Sequence, residues 1–326
     1  MPALATFELT KDYAIGFWRK RPYRALHGLT LEIAPGEVFG FLGPNGAGKT
    51  TTLKLLMQLV FPTSGRAEIL GRPLGDLSVK RRIGYLPEHP YFYDYLTAEE
   101  LLTYFAGLFG YSGADRRARA SRLLDEVGIG AERRMQLRKF SKGMLQRVGI
   151  AQAILNDPEL VIFDEPMSGL DPLGRRDVRS LILRLRDRGC TVFFSSHVLS
   201  DAEALCDRVA ILARGRLAAM GRLTDMLPFR ARGWELVVAG VRDDTVAALG
   251  NRVRRAVRLS EGHYLLDLPP DSLPERLVGE LTARGASLTS LNPIRQTLEE
   301  FFVEHVTAPE AAGAPRGLEP RAGRRP

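Results

Sequence analysis

The sequence lacks any long, uninterrupted run of apolar residues. A helix that crosses a bilayer needs about 20 of them, whereas the apolar stretch at residues 53–61 is short and is interrupted by Lys54 and Gln58. We therefore expect that the chain does not span a membrane by itself. The first twelve residues already include three charged ones, which leaves no room for the apolar core of a signal peptide and favours a cytoplasmic location.

Cysteine and lysine are also scarce. The two cysteines, Cys190 and Cys206, are too few for a disulfide framework and are not spaced like metal ligands. Lysine supplies only seven of the 46 basic residues, and the arginines are scattered in short clusters. Because no basic stripe with interleaved aromatic residues is present, we do not expect nucleic acid as a partner, despite the net charge of +8.

The 326 residues, of which 45% are hydrophobic, suffice for one large domain and a small one. We predict a β-rich region over residues 1–87 and a helical subdomain over about 88–150, within a first domain that covers residues 1–221. Alternating strands and helices indicate an α/β fold around a parallel sheet, in which ligands bind at the carboxyl ends of the strands. The predicted strands of this sheet are Val38–Leu42, Leu160–Phe163, 191–195 and 208–212.

The pattern changes after Gly221. Residues 222–306 predict the order β-α-β-β-α-β-α, which is typical of a small ferredoxin-like α+β module. Its strands are expected at 234–241, 253–259, 264–268 and 287–291, and its helices at 243–250, 272–284 and 294–305. Residues 307–326 consist mainly of Ala, Pro, Gly, Glu and Arg, a composition that predicts a disordered tail.

A glycine-rich segment lies between the predicted strand at 38–42 and an apolar helix predicted at 50–60. It fits the pattern G-x-x-x-x-G-K-[ST], whose backbone N–H groups cradle phosphate oxygens. Lys49 would reach the β and γ phosphates of a nucleotide, and the Thr50 hydroxyl would ligate Mg²⁺. The sequence therefore predicts a nucleoside triphosphate site formed by Gly43, Pro44, Asn45, Gly46, Ala47, Gly48, Lys49, Thr50 and Thr51.

Two acidic residues follow the apolar strand at 160–163. The strand end would place Asp164 in the coordination shell of Mg²⁺ and Glu165 beside the γ phosphate. From there Glu165 can orient or deprotonate the attacking water. We therefore predict Asp164 as a metal ligand and Glu165 as the catalytic base of triphosphate hydrolysis.

The segment FSKGMLQR at residues 140–147, between these two motifs, resembles the signature loop of the ABC transporter ATPases. The resemblance covers residues from about 4 to 220. It implies a P-loop NTPase fold with a RecA-like parallel sheet, a β-subdomain and a helical subdomain, and it implies that Ser141 and Gly143 contact the ATP held by a second subunit. The chain departs from the usual signature at Lys142, where Gly is commoner, and at Met144, where Gln is.

The resemblance also implies roles for positions elsewhere in the chain. The segment 168–172, which includes Asp171, is similar to the loop that couples two ATP sites across a dimer. His197 matches the switch histidine that hydrogen-bonds the γ phosphate. Glu88 replaces the usual glutamine that ligates Mg²⁺, in a Pro-Glu pair that some exporter-type members share.

The family's adenine-stacking aromatic corresponds to Tyr13. It lies 36 residues before Lys49, which is farther than usual, and an insertion around residues 17–23 explains the distance. Trp18 and Tyr23 therefore remain alternatives for the stacking role.

The resemblance implies a homodimer that hydrolyses ATP with Mg²⁺ and drives a separately encoded transmembrane permease from the inner face of the membrane. We favour an exporter, because the C-terminal module and the Pro87-Glu88 pair look like exporter-type subunits. The aromatic cluster in residues 88–95 would contact the permease or form a local core. The alternative function is that of a soluble ABC ATPase acting on ribosomes or nucleic acid. A catalytically inactive regulatory subunit is disfavoured because Lys49, Asp164, Glu165 and His197 occur together.

Overall fold

The computed structural model describes residues 1–16, 21–227 and 232–306. They divide into two compact units, the first spanning Met1–Leu223 and the second Thr224–Glu304. The predicted tail at 307–326 and the candidate Trp18 lie outside the described residues. Among the helices in these ranges, none combines the length and apolar character that a membrane crossing requires.

The first unit contains two sheets. One is antiparallel, with the strand order β2-β1-β4-β5, and the other has the order β10-β9-β3-β8-β7-β6. In the second sheet β9, β3, β8, β7 and β6 are parallel and only β10 is antiparallel. The strands are β1 (Leu4–Ile15), β2 (Arg21–Ile33), β3 (Val38–Leu42), β4 (Ser64–Ile69), β5 (Arg72–Pro73), β6 (Ile83–Leu86), β7 (Leu160–Phe163), β8 (Thr191–Ser196), β9 (Arg208–Ala213) and β10 (Arg216–Arg222).

One face of the parallel strands packs against helices and the other against a helix and the antiparallel sheet, so that every residue of β3, β7 and β8 is buried. This explains why these strands are nearly continuous apolar runs instead of alternating patterns. Phe193 packs between Phe39 and Phe41 at ring-centroid distances of 5.9 and 5.5 Å. The helices of this unit are α1 (Lys49–Leu56), α2 (Leu77–Lys80), α3 (Ala98–Leu108), α4 (Gly113–Glu126), α5 (Lys142–Ala153), α6 (Pro172–Asp187) and α7 (Leu199–Glu203); α8 (Leu223–Met226) follows at the boundary.

The second unit is a four-stranded antiparallel sheet with two helices packed on its core. Its strand order, β12-β13-β11-β14, is the ferredoxin-like arrangement that the element order predicted. Leu236, Val238 and Leu266 form the centre of a separate apolar core. The elements are β11 (Gly233–Ala239), α9 (Asp243–Ala247), β12 (Arg255–Ser260), β13 (His263–Leu268), α10 (Pro274–Ala283), β14 (Ser287–Ile294) and α11 (Leu298–Val306).

The predicted α/β fold with its parallel core is confirmed, but two element boundaries were wrong by four residues. Helix α1 ends at Leu56 and does not reach residue 60, because Gln58 adopts the left-handed backbone conformation with φ 58°. The last helix starts at Leu298 instead of residue 294. The preceding strand continues through Ile294, which pairs with Gly233.

Candidate nucleotide-binding and hydrolysis site

The phosphate-binding loop joins the buried strand β3 to helix α1. Gly43 and Gly48 have φ values of 154° and 105°, and Gly48 caps the helix. A Cβ atom on Gly43 would lie 2.2 Å from the carbonyl oxygen of Leu212, and one on Gly48 would lie 2.7 Å from that of Ala25. Only glycine fits at these two positions, which hold the loop closely against the ends of β9 and β2.

Lys49, the first residue of α1, is buried inside this loop. Its Nζ donates a hydrogen bond to the carbonyl oxygen of Gly43 at 2.7 Å and lies 3.3 Å from Oε1 of Glu165. Both side chains are less than a tenth exposed. The fold therefore places the loop's cation and the predicted catalytic base in direct contact, although 116 residues separate them in the sequence.

Asp164 follows β7 and faces the phosphate loop. Its backbone N–H donates to the carbonyl oxygen of Leu86 at 2.8 Å, and its Oδ1 lies 3.4 Å from the Thr50 hydroxyl. Burial raises the pKa of the Asp164 carboxyl above its ordinary value; Glu88 and Glu165 raise this pKa further, while hydrogen bonds from Ser195 and Thr50 lower it. The site thus gathers negative charge at a point where little water is present.

These oxygen atoms suit Mg²⁺. Carboxylates and a hydroxyl are hard ligands, and Mg²⁺ is commonly held by one or two carboxylates together with substrate phosphates. Thr50, Asp164 and Glu88 offer such a partial ligand set. In the described ranges, no group of three or more His, Cys, Asp and Glu side chains converges as a dedicated metal cage.

His197 follows strand β8 and contacts the same glutamate. Its Nδ1 lies 2.8 Å from Oε2 of Glu165, and its backbone N–H donates to that oxygen at 3.4 Å. The two oxygens of Glu165 are therefore oriented from opposite sides, by Lys49 and by His197. The predicted catalytic residues Glu165, His197 and Lys49 form one contiguous group.

One cavity collects most of the predicted nucleotide-binding residues. Tyr13 and Tyr23, directly opposite each other in the β1–β2 pair, line it at one end. The ammonium of Lys11 lies 5.1 Å from the centroid of the Tyr13 ring. The other lining residues are Ala25, Pro44, Asn45, Gly46, Ala47, Gly48, Lys49, Thr50, Thr51, Glu88 and Glu165.

The structure separates three predicted site residues from this cavity. Ser141, Gly143 and Asp171 line a different one, together with Lys142. Ser141 caps helix α5 by accepting a hydrogen bond from the N–H of Met144 at 3.2 Å. Asp171 caps α6 through the N–H of Gly174 at 2.7 Å. Within one chain, the signature segment does not contribute to the cavity that contains Lys49.

Sequence reasoning missed Ser195. This fully buried residue donates a hydrogen bond to Oδ1 of Asp164 at 2.7 Å and accepts one from the backbone N–H of Glu165 at 2.9 Å. The available signal was the polar pair Ser195-Ser196 at the end of another predicted strand of the parallel sheet. A second contact that the sequence did not suggest is between buried Asp201 and the guanidinium groups of Arg175 and Arg179.

Known proteins are similar to this chain in sequence. A family model described as ABC transporter matches residues 26–168. An uncharacterized ABC transporter ATP-binding protein of Synechocystis is 45% identical over 92% of this chain and 84% of its own length. The linearmycin resistance ATP-binding protein of Bacillus subtilis is 32% identical over 85% of this chain and 91% of its own length. A fluoroquinolones export ATP-binding protein of Mycobacterium tuberculosis is 39% identical over 64% of this chain and 68% of its own length.

A solved structure has a similar fold. The ATP-binding cassette MJ0796, in a dimeric post-hydrolysis state bound to ADP and Pi, superposes with a TM-score of 0.63 at 27% identity and covers 68% of this chain and 98% of that chain. The fold and the site define a P-loop ATPase. The chain belongs to the ABC transporter ATP-binding proteins, and it is an ATP-binding and ATP-hydrolysing subunit of such a transporter.

Proposed function

We propose that two copies of this chain enclose ATP between them and drive export through a separately encoded membrane-spanning subunit. The observation that carries the proposal is the separation of the two half-sites: Lys49 lines one cavity, while Ser141 and Gly143 line another. A head-to-tail pair with two-fold symmetry brings the second half-site of each copy to the nucleotide of the other.

The second half-site has the properties of an anion receptor. Ser141 caps the 12-residue helix α5, whose N-terminus carries a partial positive charge. Gly143 has no side chain that could obstruct the approach, and a Cβ there would already press on the side chain of Leu170 at 3.3 Å. A γ phosphate arriving from the other copy would meet a hydroxyl and free backbone N–H groups.

Hydrolysis in this dimer depends on the group around Glu165. Lys49 binds the β and γ phosphates once it leaves the Glu165 carboxylate, and Thr50, Asp164 and Glu88 would hold Mg²⁺. Bound Mg²⁺ neutralises phosphate charge. Glu165 then accepts a proton from the attacking water at Oε1, while His197 keeps the other carboxylate oxygen in place.

We place the contact with the permease on the helical subdomain. Tyr91, Tyr93 and Tyr95 are 94%, 60% and 60% exposed, whereas Phe92 between them packs against the core. Exposed aromatic side chains commonly anchor protein partners. The chain would then act at the inner face of the membrane, with ATP supplied from the cytoplasm.

The export direction rests on the relatives. One is named for fluoroquinolone export and another for linearmycin resistance. We therefore propose that this chain also powers export, of a compound recognised by the permease.

The direct test is the change Glu165→Gln, which keeps the shape of the side chain but removes its basicity. We expect ATP turnover to fall about 10²- to 10⁴-fold, with ATP binding retained. With ATP and Mg²⁺, light scattering during size-exclusion chromatography should show a dimer, and the dimer should dissociate when nucleotide is removed.

A matched control is Glu159→Gln, just before the same strand, where the carboxylate is 55% exposed and pairs with Arg82. It should turn over ATP like the parent. A nucleotide-loaded Glu165→Gln protein that stays monomeric at high concentration with its permease present would exclude the proposed dimer. Salt-sensitive binding to RNA or DNA, without copurification of a membrane protein, would favour the soluble alternative instead.

A further inference from the structure

We propose that Ser195 is a positioning residue for ATP hydrolysis, whose single hydroxyl group fixes the metal-facing side chain of Asp164 and the backbone of Glu165 at the same time. The inference rests on the roles proposed above for these two acids. It concerns a fully buried side chain whose hydroxyl hydrogen-bonds to both acids.

Strand pairing determines where the hydroxyl lies. Strands β7 and β8 are parallel, and Phe163 is aligned with Phe194 in their register. Asp164 follows Phe163 and Ser195 follows Phe194, so these two residues lie side by side at the carboxyl edge of the sheet. Ser195 cannot move away from the acids without disrupting the pairing of β8 with both β7 and β3.

The hydroxyl donates to one acid and accepts from the other. A serine hydroxyl has one proton to donate and accepts through its lone pairs. Here the proton goes to Oδ1 of Asp164 at 2.7 Å, and the oxygen accepts the N–H of Glu165 at 2.9 Å. The same Oδ1 lies 3.4 Å from the Thr50 hydroxyl. The bond from Ser195 therefore sets the rotation of the carboxylate that would face Mg²⁺.

The second bond fixes an unusual backbone turn. Glu165 has φ 51°, in the left-handed region that residues other than glycine seldom adopt. This turn directs the carboxylate of Glu165 toward Lys49 and His197. The bond from its N–H to Ser195 ties the turn to the neighbouring strand, and its carbonyl oxygen accepts the N–H of Ser168 at 3.0 Å.

A buried hydroxyl could also serve stability alone, and the same strand provides the comparison. Thr191 begins β8, is 2% exposed, and accepts the N–H of Gly36 through Oγ1 at 2.9 Å. It lies at the opposite end of the strand from the acids. Thr191→Val therefore removes a buried hydroxyl acceptor from β8 without touching the site, which makes it a matched control for Ser195→Ala.

The experiment measures turnover and nucleotide binding separately. We expect Ser195→Ala to lower kcat about 10- to 100-fold, the usual effect of removing a partner that orients a metal ligand, while Thr191→Val stays within twofold of the parent. Metal-free ATP affinity should stay within twofold in both variants, because the phosphate loop is intact. In the hydrolysis-arrested Glu165→Gln background, adding Ser195→Ala should raise the Mg²⁺ concentration needed for tight ATP binding about 10-fold.

Each outcome supports or overturns the assignment. A Ser195→Ala protein with the kcat and Mg²⁺ dependence of Thr191→Val overturns it. Loss of metal-free ATP binding together with a lowered Tm also overturns it, since the role is then structural. If Glu165→Gln itself turns over ATP normally, the proposed catalytic base fails, whatever Ser195→Ala does.

Discussion

Among the described residues of the first unit, eleven polar or charged side chains are buried. Four of them, Lys49, Asp164, Glu165 and Ser195, meet at one edge of the parallel sheet. In the described part of the second unit, the buried side chains are apolar apart from the phenol of Tyr264, whose hydroxyl donates to Asp243 at 2.6 Å. Removing polar groups from water is costly unless they are paired. The first unit therefore buries polar groups that pair with one another at the predicted catalytic site, while the second has an almost entirely apolar core among its described residues.

The ion pairs show the same contrast. Asp201 in the first unit is 1% exposed and contacts two arginines from helix α6. The pairs of the second unit, such as Arg252 with Glu280, join side chains that are about half exposed. Surface pairs contribute little to stability, whereas breaking a buried pair leaves a charge without compensation. Three substitutions examine this contrast, in order of decreasing effect.

The largest loss of stability is expected from Leu266→Ala in the second unit. Leu266 has no exposed surface and lies on the central strand pair, so its truncation leaves a cavity that the neighbouring side chains fill only in part. The free energy of unfolding of this unit should fall by about 4 kcal/mol. Hydrogen exchange of the amides in residues 233–294 measures it. A loss below about 1 kcal/mol would show that this core is not what stabilises the unit.

A somewhat smaller loss is expected from Asp201→Ala in the first unit. The change removes the buried partner of Arg175 and Arg179. Because both arginines are about one third exposed, we expect the free energy of unfolding to fall by about 3 kcal/mol, the lower end of the range for buried pairs. Chemical denaturation, monitored through the hydrogen exchange of the amides in β8 and α6, measures this loss of free energy. Asp207→Asn, which keeps an acceptor for the N–H of Val38, is a control outside this cluster. Equal effects of the two changes would contradict a special role for the Asp201 cluster.

The smallest effect is expected from Glu280→Ala. Its carboxylate forms two hydrogen bonds with the guanidinium of Arg252, at 2.7 and 3.0 Å, and this contact lowers the pKa of Glu280. Since water already solvates both groups, we expect no resolvable change in Tm. A clear drop in Tm would show that an exposed ion pair of the second unit stabilises the protein as a buried one does, which contradicts the contrast between the two units.

The local motifs could be predicted from the sequence with accuracy. The strands Val38–Leu42 and Leu160–Phe163 have the predicted bounds, because short apolar runs next to glycine or acidic pairs have one reasonable interpretation. Helix α1 was predicted too long, since nothing in the local sequence shows that Gln58 takes a left-handed conformation. The sequence could not show that Tyr13 and Tyr23 lie together. The register of β1 with β2 decides this and places both rings at the cavity.

By itself the sequence determined the prediction of a phosphate cradle at residues 43–51, because the glycines, the lysine and the helix start that make such a cradle are consecutive and act through backbone geometry. Only the tertiary structure decided which distant groups meet that cradle. Strand order in the parallel sheet brings Ser195 to Asp164 and Glu165, and it leaves Ser141 in a separate cavity. Such contacts depend on sheet register and on the packing of helices, which no local pattern of residues specifies.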